Sequence, residues 1–504
     1  MPDVKPRPRI TAGPSRHVYD VIVLGGHLGG ALGAALLAKR GYRVLLVEHD
    51  GLGAGYEHEG YLLPYAPFVA PQLKAMPLVE EAFAELGLST MIQRSLRPHL
   101  PDLQLVLPDH RLDLPHAESR RLEELSREFG ESAPRVNKLL SLAAAQHEQS
   151  DAFLKQARYL PPDGMFQSWH LRKQVEHHPE IQAPFALVGD EPPIPLLLGM
   201  LPFVNFLAAP RGPLPSARTL SQILHTSTRY PGGRDGFREL LYRRLTDLGG
   251  DLLWKDGAES SIAEALTFDG GKVVGLQVVR SENIYRCSCM ILATDSAAIR
   301  RLVTEKKKQR ALMTLLDLAS VKKFLFSVNW VIKSHALPRG MGDLLLVDTG
   351  DPELGPLLIQ VHGTRRVGAK AEEETLRTVC AGAFIPATAR DLGDAHLANL
   401  AHQIEAYLKQ LIPFSGDHLL LFSAPYLHPG GGRGARLLPH PLIEVETDND
   451  LGIAGIPPTT SVKNLFMASR EVLPGLGLEG EFLAGIRAAK LIQETMKKRD
   501  PLKR

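Results

Sequence analysis

Gly25, Gly26, Gly29 and Gly30, with His27 among them and Glu48 and His49 following, are the residues through which this chain could grip a phosphate and a ribose. A glycine turn lets backbone pass close to a pyrophosphate, the helix it opens offers unpaired N–H groups at a positive dipole end, and an acid beyond the next strand can take a ribose hydroxyl. The interval from Gly25 to Glu48 is about the one this geometry requires.

These residues need a strand, a helix and a second strand to position them. Residues 21–24 form an apolar run, 31–39 a helix rich in small residues, and 44–47 a second apolar run ending in the acid, which together predict a dinucleotide-binding βαβ unit. In the spacing G-x-G-x-x-G the glycines fall at positions 25, 27 and 30, and the middle one is His27; Gly26 or Gly29 is left to supply the same freedom.

Other chemistries find little support. No Ser/His/Asp order with a nucleophile elbow occurs, and the adjacent His177 and His178 lack a third partner at metal-ligand spacing, so no metal is expected. Cys287 and Cys289 alternate along a predicted strand without a second pair to complete a zinc site, and with Cys380 they form no disulfide framework, which suits a reducing, cytoplasmic setting. A net charge of +2 without a basic stripe argues against nucleic acid as a partner. The chain has 504 residues, 44% apolar and 23% charged, a composition that suits two or three ordinary globular units. Residues 1–16 carry prolines and basic residues without an apolar core and read as a flexible lead-in, neither signal peptide nor anchor.

Beyond the opening unit, 78–86 has a helical pattern, 103–114 reads as a hairpin, and 117–159 is helical with one charged side. Residues 191–211 enclose an uncharged stretch interrupted by Pro192, Pro193, Pro195, Pro202 and Pro210. Those prolines argue against a spanning helix and leave two possibilities: the wall of an apolar pocket, or a peripheral membrane contact through 192–210 on the inner face of the membrane. A glycine-led helix follows at 231–248, then a hairpin turning at 269–271, a strand at 285–294, strands at 321–332 and 343–348, and a helix at 395–411. The chain closes on a strand, a glycine and proline loop, and a helix between 461 and 496.

Taken together, the opening βαβ unit, the middle element at 231–294 and the closing strand, loop and helix resemble the phytoene desaturase and carotenoid isomerase branch of the FAD-dependent amine oxidase superfamily. The resemblance implies an α/β fold with a Rossmann-type FAD-binding domain, plus a mixed-sheet α+β substrate domain with a helical insert. It places 17–115, 225–303 and 455–498 in the first domain and 116–224 and 304–454 in the second, with 499–504 as a basic tail. By the same resemblance Gly25, Gly26, Gly29, Gly30, Glu48 and the neighbouring His27 and His49 would hold the ADP half of FAD. Pro474, Gly475, Leu476 and Gly477 would lie by the flavin, with Gly480 facing the pyrophosphate. The family's arginine after the ribose acid and its aspartate a little later are absent here: the matching places read Gly53-Ala54-Gly55-Tyr56 and Pro64-Tyr65-Ala66-Pro67.

The implied activity is desaturation, saturation or isomerisation of a lipophilic polyene or isoprenoid-like substrate by hydride transfer at flavin N5. Catalytic candidates are few: Arg470 and Glu471 beside the closing loop, the helix-opening acids Glu479 and Glu481, and Lys323, one of two lysines of which strand alternation should turn one inward. Two rivals stand beside this expectation, a flavin-fold lipid- or partner-binding protein without turnover and an amine oxidase. The second would need an aromatic cage near the closing loop, and residues 453–460 offer none.

Overall fold

The computed structural model describes residues 17–49, 55–99, 102–157, 159–179, 193–209, 212–253, 263–279, 284–369, 371–427, 440–446 and 453–496. The lead-in at 1–16 and the tail at 499–504 lie outside them. Two large sheets organise these residues, and each has its own apolar core.

The first sheet grows outward from the opening strand Val18–Leu24. It pairs in parallel with Val44–Val47 on one side and Ile284–Leu292 on the other, and Asp251–Leu253 and Leu465–Met467 extend the parallel array. Leu465–Met467 therefore belongs to the same sheet as Val18–Leu24 although it lies at the other end of the chain. The hairpin Ala263–Asp269 and Lys272–Val278 joins antiparallel at the edge, turning through Gly270 and Gly271, both at positive φ. Strands Val44–Val47 and most of Val18–Leu24 are buried on both faces, which is why they read as unbroken apolar runs.

Helices Leu28–Lys39 and Gly477–Met496 cross at glycine. A Cβ on Gly485 would stand 1.9 Å from the Gly29 carbonyl oxygen, and one on Gly33 would stand 3.1 Å from the Gly485 carbonyl oxygen. The small residues of the opening helix thus allow two backbones to meet, and this contact fixes the two ends of the chain to each other.

The second sheet is mixed and runs in the order Leu419–Ser423, Ala319–Lys333, Glu373–Pro386, Leu357–Arg366, Leu344–Val347, Leu103–Val106 and Arg111–Leu114. Its last two strands are the hairpin that the sequence assigns to the first domain. Leu103, Leu105, Leu112 and Leu114 bury their apolar face in the second core, and Leu103–Val106 pairs in parallel with Leu344–Val347, so the hairpin belongs here. Helices Glu118–Phe129 and Ala133–Gln156 fall within the helical stretch read at 117–159, and with Pro213–Thr226 they contribute apolar side chains to the same cluster as the hairpin.

The uncharged stretch folds into the helix Pro193–Val204, with Ile194, Leu196, Leu197, Met200, Leu201 and Phe203 buried. Its apolar side chains line the interior, as the wall of an apolar pocket would. Among the described residues no helix is long and apolar enough to cross a membrane.

Candidate functional site

The opening strand delivers the chain to Gly25, whose φ of +105° suits glycine. A Cβ there would stand 2.3 Å from the Ala293 carbonyl oxygen, so the turn presses directly on the end of strand Ile284–Leu292. His27 caps the helix, its N–H donating to that same carbonyl at 3.0 Å. Gly26 faces the carboxylate of Glu48, both of whose oxygens would lie 2.4 Å from an added Cβ. Glu48 is buried and accepts a hydrogen bond from the Tyr242 hydroxyl. Next to it His49 is buried, with Nδ1 lacking a partner among the described residues; burial lowers its pKa and leaves it neutral.

The other two glycines of the turn have different work. A Cβ on Gly29 would meet the carbonyl oxygens of Glu481 and Ala468 at 2.4 and 2.6 Å, and one on Gly30 would meet Ala293 Cβ at 2.1 Å. These are packing positions against the closing helix and the central strand.

The closing loop is buried as well. Pro474–Leu476 forms one 3-10 turn whose Pro474 carbonyl accepts the Phe206 N–H at 2.8 Å, and the Gly475 carbonyl accepts the Thr219 hydroxyl at 3.3 Å. Gly477, at φ +54°, passes so near Val204 that a Cβ would stand 1.9 Å from its carbonyl oxygen. Gly480 faces back onto its own loop, 2.2 Å from the Leu473 carbonyl by the same measure, instead of opening toward a ligand.

Two acids at the start of this helix reach in opposite directions. Glu479 receives a bidentate pair from Arg218, at 2.6 and 2.7 Å, and a third bond from Gln222 at 2.8 Å. Glu481, fully buried, crosses to the opening helix: its Oε1 accepts the Leu28 N–H at 2.6 Å while its Oε2 pairs with Arg234. Both were legible as helix-opening acids, but Glu481 caps the other helix rather than its own.

Arg470 and Glu471 lie between the two motifs. The Arg470 guanidinium pairs with Asp295 at 2.7 and 3.0 Å, and its backbone N–H points at His27 Nδ1 at 3.4 Å; His27 Nε2 lies 3.7 Å from Asp295. Burial, with the positive charge of Arg470 beside it, holds His27 well below its ordinary pKa and hence neutral. Burial works against ionising Asp295, but the paired guanidinium of Arg470 outweighs it and keeps the carboxyl low. Glu471 is held by the Ser296 N–H at 2.9 and 3.1 Å and by the Ser296 hydroxyl. Burial and the nearby Asp295 nevertheless push its pKa from 4.5 up to about 8.

A carboxyl whose pKa rises on folding stabilises the fold in its protonated form. Its contribution is complete below 4.5 and is lost as pH rises through about 8. Wild type should therefore lose denaturant stability across that window by up to about 1.4 kcal/mol per pH unit more than Glu471→Gln. Parallel slopes for the two proteins in denaturation series would contradict this.

Lys323 is not part of the site. The pairing of Ala319–Lys333 with Leu442–Val445 shifts register between Val321 and Lys323, and this irregularity breaks the alternation that should turn one lysine inward. Both Lys322 and Lys323 are exposed, and Lys322 pairs with Glu444. Sequence reasoning missed Arg234, Tyr242 and Asp295. Arg234 was visible only as part of the glycine-led segment at 231–237, and its partner Glu481 lies 247 positions away.

A dinucleotide fits this cradle at one end. Glu48 and the unpartnered His49 Nδ1 lie beside the glycine turn, where a ribose and base would be received. The pyrophosphate does not fit with the side chains as they stand, because a carboxylate of the chain itself holds the Leu28 N–H at the dipole end of the opening helix.

No protein-family model matches the chain. Solved structures cover nearly all of it: a cyclohexylamine oxidase from Brevibacterium oxydans (TM-score 0.54, 16% identity, 95% of this chain and 100% of that one) and a putrescine oxidase variant (TM-score 0.56, 14% identity, 95% and 99%). The chain has the amine oxidase fold. An oxidoreductase from Methanosarcina mazei shares it (TM-score 0.55, 15% identity, 95% and 100%). In sequence, the chain is distantly similar to the chloroplastic prolycopene isomerase of Daucus carota, 23% identical over 341 residues, which make up 64% of this chain and 53% of that protein. The matched region thus spans about half the length of that relative. Within this fold, the Leu28–Glu481 contact joins the opening turn to the closing helix, and the His27–Arg470 contact joins it to the segment that leads into the closing loop.

Proposed function

We propose that this protein is an FAD-dependent oxidoreductase that desaturates, saturates or isomerises a lipophilic polyene or isoprenoid-like substrate. The observation that carries the reading is the path of the apolar segment. Helix Pro193–Val204 runs into Phe206 and Leu207, which meet the closing loop through the Phe206 N–H bond to Pro474 and the approach of Leu207 Cδ1 to Gly475. An apolar wall thus abuts the loop beside which the resemblance puts the flavin, as a substrate of hydrocarbon character would need. The similarity to a prolycopene isomerase supports the same substrate class.

A bound flavin would supply the hydride chemistry. The chain would take its ribose on Glu48, offer His49 to the nucleotide and exclude water through the buried Pro474–Leu476 turn. Arg470, fixed by Asp295, and Glu471, fixed by Ser296, are the polar groups that lead into that turn.

The second reading, a lipid or partner binder without turnover, is favoured by one observation: Glu481 on the N–H of Leu28. Anaerobic mixing of FAD-loaded protein with the apolar molecules that co-purify with it, or with a linear polyene, separates the two. The first reading expects a change in the flavin spectrum and a product altered in double-bond number or geometry. A bound lipid that leaves both unchanged would establish the second.

A further inference from the structure

Helix Leu28–Lys39 has no acidic residue in its first turn, so its positive end carries no countercharge of its own. Glu481 supplies one from the other end of the chain, 2.6 Å from the Leu28 N–H. It is completely buried, and its other oxygen pairs with Arg234, whose side chain is 26% exposed. This is the arrangement in which a helix N-terminus and a cation bind a phosphate group, with a carboxylate in the place of the anion. Tyr56, which stands where the resemblance expects an arginine, is buried against Ser423 and Asn329 in the second sheet and brings no charge to the turn. Arg234 does. Its guanidinium lies 5.3 Å from the Phe206 ring, and its charge contributes to the low pKa values of His27 and Asp295.

We propose that Glu481 is an internal stand-in for the pyrophosphate of a dinucleotide, and that Arg234 is the cation serving whichever anion occupies the end of the opening helix. The proposal rests on the FAD reading above and adds to it a gate. A carboxylate and a diphosphate cannot share the Leu28 N–H, since two anions in a buried site repel and one donor satisfies one of them. Nucleotide entry therefore requires the Glu481 side chain to withdraw, with Arg234 passing from the carboxylate to the incoming phosphates. The partly exposed guanidinium, on the first turn of helix Gly233–Asp247, can make that exchange without unfolding its own helix.

Full-length wild type, Glu481→Gln, Glu481→Ala and Glu481→Ala/Arg234→Gln are titrated with FAD, ADP and adenosine, with circular dichroism as a check of folding. Glu481→Gln keeps an acceptor for the Leu28 N–H and removes the charge, so it guards against loss of the fold. Both single variants should bind FAD and ADP about tenfold or more tightly than wild type, with adenosine unchanged because it lacks the diphosphate. The added Arg234→Gln should cancel the gain. Equal or weaker FAD binding by a folded Glu481→Gln would overturn the gate. If wild type binds FAD as tightly as the variants, the flavin reading stands and the gate falls. If only the variants bind, the gate stands and wild type is not a resident flavoprotein. If no folded protein binds FAD, both fall.

Discussion

Replacing Arg218 with alanine should cost about 3–5 kcal/mol of folding stability, a loss read as a lower denaturant midpoint. Arg218 and Glu479 are each only 1% exposed, and the arginine makes every donor count: two bonds to Glu479, one to Asp151, one to the His147 carbonyl and one to the Ser150 hydroxyl. Removing it strands the Glu479 carboxylate in the core with Gln222 as its remaining donor in this cluster. The cost arises from the uncompensated charge more than from the value of the pair. The double variant Arg218→Met/Glu479→Leu should therefore recover much of the loss. Equal destabilisation by the single and double variants would show that packing around Arg218, and not the charge, is what holds the closing helix to helix Pro213–Thr226.

Gly485→Ala is expected to weaken both stability and nucleotide binding. The added Cβ would stand 1.9 Å from the Gly29 carbonyl oxygen and 2.9 Å from Gly29 Cα, which are backbone atoms that no rotamer change can move. The two helices must separate, at a cost of about 1–3 kcal/mol by the usual penalty for overpacking. The separation also pulls the closing loop at Pro474–Leu476 away from the turn at Gly25 and Gly26, so that the two halves of the proposed cofactor site no longer face each other. A variant with wild-type denaturant midpoint and wild-type FAD affinity would mean that the helix crossing is slack and does not register the two motifs. An alanine at Gly41, where an added Cβ meets nothing within 4 Å, serves as the control for space, although its φ of +81° adds some backbone strain.

The parts of this fold that were legible in the sequence are those whose signal is local. Val18–Leu24 and Val44–Val47 announce parallel strands because burial on both faces makes them continuously apolar, and Gly270 and Gly271 announce a hairpin through their backbone freedom. What was not legible depends on distant partners. The hairpin ending at Leu114 was clear, but its sheet was not, because its neighbour Leu344–Val347 comes more than two hundred positions later. The uncharged stretch at 193–204 has the composition of a membrane surface and of a core alike, and only its neighbours decide between them. Lys323 was misplaced because a shift in register carries no mark in the residues that make it. In the site, Glu48 and the turn followed from spacing. The roles of Gly29 and Gly30 did not, since a glycine needed for close approach looks the same whether it admits a phosphate or another helix. Glu481 holds its donor across 453 positions, beyond the reach of any pattern in the chain.

If the opening turn and the closing loop and helix build one flavin site, titration of the purified protein with FAD shows it most directly. The expected result is saturable binding of one FAD per chain, seen as a shift of the flavin absorbance and a rise in thermal midpoint with FAD concentration. Folded protein that shows neither change at saturating FAD would contradict it.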